Sequence, residues 1–247
     1  YIIGTTLGGY IIVWTSYSWC FVIASILFIL SSLFYIWVRP LSNELEEVTK
    51  HNYKEVFKNK RYILFLLVYV LYYTFLFSSD HFFPLFLESK GFEASKVGII
   101  YSYYVGVELI VMVILTRFKD KLNADVLLLV AFSLVVVRQF INFLDSNVYL
   151  VIVASGLRGI SLAIFFHTSY TYCLRLLGKE LTTTGIMIMN MGQLLGVFLL
   201  DNVNGSIIDH NGFKMFYLIM IILGIILVII QVIRMIIIKK NKEEIKV

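Results

Sequence analysis

The chain has 247 residues, of which 60% are hydrophobic and 15% are charged, and its formal net charge is +5. A soluble domain carries about 25% charged residues, and a fold of this size cannot bury so large an apolar excess. The composition therefore excludes an ordinary soluble protein. The basic residues lie mainly between apolar runs, which indicates membrane topology rather than a nucleic-acid-binding surface, so we expect a lipid bilayer and no nucleic acid as partner.

Apolar runs follow one another along the chain, and about 20 helical residues cross ~30 Å of hydrocarbon. The first run, Tyr1–Trp14, predicts a partial span. Complete spans are predicted at Trp19–Val38, Tyr62–Leu87, Val97–Leu115, Val126–Leu144, Val148–Leu174, Thr183–Asn204 and Phe213–Ile238. Near the end of the third run, Pro84 predicts a kink or an early exit. The predicted fold class is all-α, a polytopic membrane protein.

Lysine and arginine are unevenly divided between the connecting segments. Fifteen lie in the segment 39–61, in two alternate loops and in the tail, against three in the remaining loops. Because basic residues concentrate on the cytoplasmic side, we expect a multi-pass protein of the plasma membrane, of the bacterial cell-membrane kind, with a cytoplasmic C-terminus.

The polar segment 39–61 divides the chain. We expect residues 1–38 to be the remnant of one bundle, 39–61 a cytoplasmic linker, 62–238 a six-helix bundle and 239–247 a cytoplasmic tail. The chain lacks an initiator methionine and begins in an apolar stretch. We therefore expect most of an N-terminal half to be missing, and that half is a further expected partner.

Three charged residues fall inside predicted spans. Counting along the helices places Glu108, Arg138 and Arg158 at ~16, ~18 and ~14 Å from a membrane face, each close to the midplane. A charge there costs ~2.5–3.5 kcal/mol, so we expect a functional cluster that lines a polar cavity. The alternative is a structural ion cluster that locks the helices together.

Polar and aromatic residues share the helix faces of these charges. They are Tyr101 and Tyr104 before Glu108, Asn142 after Arg138, Ser155 and Ser161 around Arg158, and Asn190 and Gln193 on the next span. Aromatic rings beside carboxylate, guanidinium and amide groups are typical of a polyol site. Asp80, His81 and Asp201 count to ~27 Å along their helices, which predicts positions at a membrane boundary. Asp80 and Asp201 could form an outer gate, or pair with the arginines if the helices tilt.

A long cytoplasmic linker followed by six helices that end inside resembles the major facilitator superfamily. The patch of Gly4, Gly8 and Gly9 is similar to that family's glycine-rich fifth helix. Asp120-Lys121 resembles the acid–base pair of its cytoplasmic gating motif, although the flanking glycines of that motif are absent and Asn123-Ala124 stand in their place. The resemblance implies twelve helices in two halves with substrate bound between them. This chain would supply helices five to twelve, and Asp120 and Lys121 would belong to a gate.

The likeness is closer to the lactose permease branch of oligosaccharide:proton symporters. Gly106-Val107-Glu108-Leu109 resembles its eighth helix, where a glutamate binds sugar, and Val136-Val137-Arg138 resembles its ninth, where an arginine supports the proton site. Arg158 falls where the branch has a coupling histidine. Ser161 falls where it has the proton-carrying glutamate, and Ser155 and Gly192 fall where it has lysines.

We expect a proton-coupled secondary transporter of a small polar solute, a sugar or glycoside, in which the two halves rock about the midplane site. Two alternatives stay open: a proton-driven efflux antiporter, and a transporter of an organic anion, since two arginines against one glutamate leave a net +1. A non-transporting membrane sensor is a further reading. The motifs H-E-x-x-H and G-x-S-x-G are missing and the histidines are scattered, so we expect no enzyme, metal or cofactor.

Overall fold

The computed structural model describes residues 2–37, 53–118, 123–144 and 147–244. The regular structure of these residues is helical. The helices are α1 (Ile2–Trp14), α2 (Tyr17–Trp37), α3 (Tyr53–Lys58), α4 (Lys60–Ser89), α5 (Ala94–Phe118), α6 (Ala124–Phe143) and a long stretch Val148–Glu244. The predicted all-α, polytopic fold class is confirmed. Most of the expected linker, including its charged centre, lies outside the described residues.

Two glycines divide the long C-terminal stretch. Gly178 and Gly212 have φ of +73° and +74° with extended ψ, a backbone conformation that side-chain-bearing residues rarely adopt. They separate α7 (148–177), α8 (179–211) and α9 (213–244). We call the two ends of the bundle the Gly178 end and the Gly212 end after these turns.

The described helices reproduce the predicted spans in number and order. Five helical stretches are long and apolar enough to cross a membrane, and the last of them, Val148–Ile237, contains the two glycine turns. The early exit predicted at Pro84 is wrong, because α4 continues past this residue to Ser89. α4 also begins earlier than expected, at Lys60, because the Asn59 side chain accepts hydrogen bonds from the amides of Arg61 and Tyr62 and caps the helix.

Helices α4 to α9 pack around one core that contains aromatic residues of α4, such as Tyr62, Phe65 and Tyr72. Helix α1 lies along α5, where a Cβ on Gly9 would come within 2.7 Å of the Ala94 carbonyl oxygen. The outward surface is apolar: on α2, for example, Phe28 is 77% exposed. Such a continuous apolar exterior fits lipid rather than water.

Candidate functional site

Asp80 on α4 is the centre of a buried ion network. Its Oδ1 accepts a hydrogen bond from Arg138 Nη1 of α6 at 2.7 Å, and its Oδ2 accepts one from Arg158 Nε of α7 at 2.6 Å. The Arg138 side chain is fully buried, and those of Asp80 and Arg158 are nearly so. Ionised hydrogen bonds of this length are strong, and here they tie three helices together.

Glu108 on α5 joins the network at its more accessible edge. Its Oε2 accepts a hydrogen bond from Arg158 Nη1 at 3.1 Å, and its side chain is 18% exposed. Two guanidinium groups therefore meet two carboxylates. When all four are ionised, their charges sum to zero.

Aromatic rings cover the two guanidinium groups. The Arg158 guanidinium lies 4.4 Å from the centre of the Tyr104 ring, and that of Arg138 lies 4.7 Å from the centre of the Phe83 ring. Such cation–π contacts help to hold a cation away from water. Tyr104 is buried and one face of its ring is occupied by Arg158, so it positions the arginine instead of presenting a free face to a ligand.

Close backbone contact brings α5 and α7 together at the network. A Cβ on Gly159 of α7 would clash with the Tyr104 carbonyl oxygen and lie 3.1 Å from the Glu108 amide nitrogen. Only glycine permits this approach, since backbone atoms cannot move aside independently. Gly159 therefore sets the spacing that allows Arg158 to reach Glu108.

The structure brings together the three predicted midplane charges, Glu108, Arg138 and Arg158, with Tyr104 against them. Tyr101 also reaches the network, because its hydroxyl donates to the backbone carbonyl of Asp80 at 2.8 Å.

The other predicted companions make no hydrogen bond to these four charged side chains among the described residues. Asn142 and Ser161 are buried, and the Ser161 hydroxyl contacts Tyr72 and donates to the Ala131 carbonyl. Gln193 on α8 accepts a hydrogen bond from the Tyr69 hydroxyl, while Asn190 is half-buried one turn away. The expected gate residues Asp120 and Lys121 lie outside the described residues.

Asp80 lies at the same level as Arg138 and Arg158, because it bonds to both of them, so the boundary predicted for Asp80 and the midplane predicted for the arginines are not compatible. The depth of Asp80 was counted from the Gly178 end of α4. That helix has 30 residues, many more than a bilayer requires, so the distance counted from its first residue overstates the distance from the membrane face. Of the two readings offered for Asp80, the structure shows the pairing with the arginines.

The net charge of +1 counted from the sequence is corrected by the same contact. Asp80 supplies a second carboxylate from this chain, so the balance of the network requires neither an acid from elsewhere nor an anionic substrate.

A second buried ion pair near the Gly178 end was missed. Arg234 of α9 lies 3.0 Å from Asp125 of α6 and 4.7 Å from the Tyr172 ring of α7. The available signal was an arginine inside the predicted span Phe213–Ile238. Among the described residues, no group of three or more His, Cys, Asp or Glu side chains is arranged to hold a metal ion.

Comparison with known proteins identifies the family of this chain. The model of the Major Facilitator Superfamily matches residues 1–200. A curated relative, "Uncharacterized transporter YwbF" of Bacillus subtilis (strain 168), is 21% identical over 185 residues, which are 73% of this chain and 46% of the relative. The chain thus spans about half the length of this relative. Because the family model covers most of the chain, we conclude that this is an integral, multi-pass membrane protein of a transporter family and that it belongs to the Major Facilitator Superfamily.

Proposed function

We propose that this chain is the C-terminal part of a secondary active transporter that moves a small polar solute, a sugar or glycoside, coupled to protons by alternating access. The observation that carries the proposal is the network of Asp80, Arg138, Arg158 and Glu108, contributed by four helices within an apolar bundle. Buried ionisable groups in a membrane are costly and mark solute or proton pathways.

The free groups at the edge of the network suit a hydroxylated solute. Glu108 uses Oε2 for Arg158, and its Oε1 has no hydrogen-bond partner among the described residues. Arg158 uses Nε and Nη1, which leaves the donors of Nη2 for a ligand. An acceptor and a donor side by side can bind two neighbouring hydroxyl groups of a sugar ring.

The buried part of the network supports the movement that transport requires. Asp80 joins α4, α6 and α7 through hydrogen bonds that are shielded from water, so these helices can rock as one body. A solute that binds Glu108 and Arg158 would contact this body at its edge without breaking its internal ion pairs.

The neutral balance of charge favours an uncharged solute over the organic anion considered above. The antiport alternative uses the same residues and differs in the direction of the coupled proton. For either direction, the excess of Lys and Arg in alternate loops supports a cytoplasmic linker and C-terminus, and the rest of the cavity would come from an N-terminal half.

The test is uptake by the intact protein in proteoliposomes with an imposed pH gradient. Radiolabelled glucose, lactose and a methyl glucoside are the probes, and Glu108→Gln is the variant. We expect Glu108→Gln to lower kcat/KM for uptake at least about tenfold, since a ligand carboxylate is lost. Glu93→Gln, in the exposed turn before α5, is the matched control and should behave as wild type.

Unchanged coupled uptake by Glu108→Gln would refute the role of this residue. Absence of transport for every saccharide probe would refute the proposed substrate class. Solute movement against the proton flux, instead of with it, would select the antiporter.

A further inference from the structure

A second polar cluster lies between α4 and α8. Asp201 of α8 accepts hydrogen bonds at both carboxylate oxygens: from the Ser78 hydroxyl at Oδ1, and at Oδ2 from His81 Nδ1 at 2.7 Å. One turn further along α8, Asn204 Nδ2 donates to Ser78 Oγ at 2.7 Å. We call these four residues, Ser78, His81, Asp201 and Asn204, the α4–α8 seam.

The seam lies at the same depth as the ion network, on another face of α4. Asp80 is nine residues from the Gly212 end of its helix, while Arg158 and Asp201 are each ten residues from that end of theirs. At 1.5 Å per residue, all three are about 14–15 Å from the helix ends. Since His81 follows Asp80 directly, His81 and Asp201 lie at about the level of the ion network in the bundle, whereas counting along the helices predicted a membrane boundary for them.

The seam is closed at one end and accessible at the other. Ser78 and Asn204 are fully buried, whereas the side chain of His81 is 53% exposed and that of Asp201 is 27% exposed. A carboxylate and an imidazole placed against acyl chains at this depth would be costly. The accessible side of the seam therefore fits an aqueous cavity better than lipid.

The net charge of the His81–Asp201 pair changes when one proton is added. With Asp201 ionised and His81 neutral the pair carries −1, and addition of one proton to His81 makes it neutral as a pair. An imidazole can take up a proton from water and return it, and this imidazole is hydrogen-bonded to a carboxylate. Within the described residues, Asp201 is the charged group bonded to His81.

Among the described residues, the other charged or titratable side chains around this part of α4 make no hydrogen bond or ion pair to His81. These side chains are Asp80 on α4, Tyr101 on α5, Arg138 on α6, Arg158 on α7 and Tyr217 on α9. Asp80 pairs with both arginines, and the Tyr101 hydroxyl donates to the Asp80 carbonyl. The two ionised clusters are thus separated by the body of α4, and His81 can change its charge without breaking a bond of the network.

We propose that the His81–Asp201 pair is a proton-binding site, separate from the Asp80–Glu108 network, and that it carries the coupling proton. In this site Nδ1–H of His81 donates to Asp201 Oδ2. A proton from cavity water adds to Nε2 to form the imidazolium, and the same nitrogen returns the proton to water after the cavity changes sides. Its role in coupling rests on the proposed transport function, whereas proton binding itself does not.

Two measurements on the intact protein test the site. The first is NMR of histidine-labelled protein in detergent, with His81→Gln used to identify the His81 signal. We expect that signal to shift when the imidazole takes up a proton. In Asp201→Asn, the pH response of that signal should differ from that of the wild type, because the carboxylate hydrogen-bonded to Nδ1 is gone. His210→Gln should leave the His81 signal unchanged, since His210 bonds to a backbone carbonyl of its own helix near the Gly212 end.

The second measurement compares two transport modes with radiolabelled lactose or the saccharide that gives the highest uptake. His81→Gln should reduce accumulation driven by a pH gradient at least about tenfold more than it reduces exchange at equal pH. Glu108→Gln should reduce both modes in parallel, because it affects the solute site.

The outcomes separate the two proposals. A His81 signal that does not change with pH, or that is indifferent to Asp201→Asn, overturns the proton site whatever the transport result. Titration with equal losses of accumulation and exchange overturns the coupling role. If no saccharide is moved but His81 titrates as expected, the proton site stands and the substrate proposal fails.

Discussion

Neutralising Asp80 is the sharpest test of the ion network, because this residue is bonded to both buried arginines. In Asp80→Asn the carboxylate that holds Arg138 at 2.7 Å and Arg158 at 2.6 Å becomes an amide. Glu108 then remains as the one carboxylate of the network, and the charge sum changes from zero to +1. Arg138 loses its ionic partner while it is fully buried.

The expected cost follows from that burial. Removal of one partner from a buried ion pair destabilises a protein by about 3–5 kcal/mol, because the remaining charge is left uncompensated. For a chain of this length, about 2–4 °C of melting temperature corresponds to each kcal/mol. We therefore expect a decrease of at least about 6 °C for the intact protein in detergent, measured by fluorescence-detected size exclusion after heating.

A matched control and a second variant make the result specific. Asp209→Asn changes an exposed acid near the Gly212 end of α8 and should alter stability by less than about 0.5 kcal/mol. Combining Asp80→Asn with Arg138→Gln removes one charge of each sign and should recover part of the loss. A melting temperature for Asp80→Asn within error of the wild-type value would refute the reasoning, since Arg138 would then not depend on Asp80.

Two further substitutions test the packing around the network and the second ion pair. Gly159→Ala should destabilise the protein by about 1–3 kcal/mol and lower uptake, because its Cβ would force α5 away from α7. Gly106→Ala is the control: no atom lies within 4 Å of the new Cβ, so this variant should be neutral or slightly stabilising in thermal unfolding. Equal melting temperatures for the two variants would contradict the close approach. Arg234→Met should lower the free energy of unfolding by about 1–3 kcal/mol in the same assay, because Asp125 loses its cation. Adding Asp125→Asn to that variant should restore part of the lost stability. No restoration would show that the two residues are not coupled.

The sequence predicted the helices well because the bilayer imposes a simple rule on length. Each predicted span has a described helix at its position, since a run of about 20 apolar residues crosses the hydrocarbon layer as one helix. The glycines that end α7 and α8 were not anticipated as breaks within continuous helical structure. Their φ values require glycine, but a glycine within or beside an apolar run occurs for many other reasons.

The candidate site was predicted in part. Counting along neighbouring helices predicted one depth for Glu108, Arg138 and Arg158, and the three do lie in one ion network, which Arg138 joins through Asp80. Asp80 was placed at a boundary, since counting assumes that each helix starts at the membrane face, and α4 is too long for that. Which acid pairs with which arginine depends on helix rotation, and an apolar run carries little information about rotation when both faces are hydrophobic.

The Tyr101 and Tyr104 rings illustrate the same limit. Their spacing predicted one stripe with Glu108, and both do lie near the network. Spacing on a helix does not reveal whether a ring faces a cavity or a neighbouring guanidinium. The structure places Tyr104 against Arg158, and this contact could be found only after α5 and α7 had been packed together.

Accessibility to water tests most directly whether the ion network meets a water-filled pocket inside the membrane. The measurement compares Glu108→Cys with Ile110→Cys in a protein whose other cysteines are replaced. The two positions differ by about 3 Å in depth and point to different sides of α5. Residue 110 is 63% exposed on the apolar surface. We expect a small charged thiol reagent to modify Glu108→Cys at least about tenfold faster, because thiolate chemistry requires water. Equal rates, or faster modification of Ile110→Cys, would contradict the account.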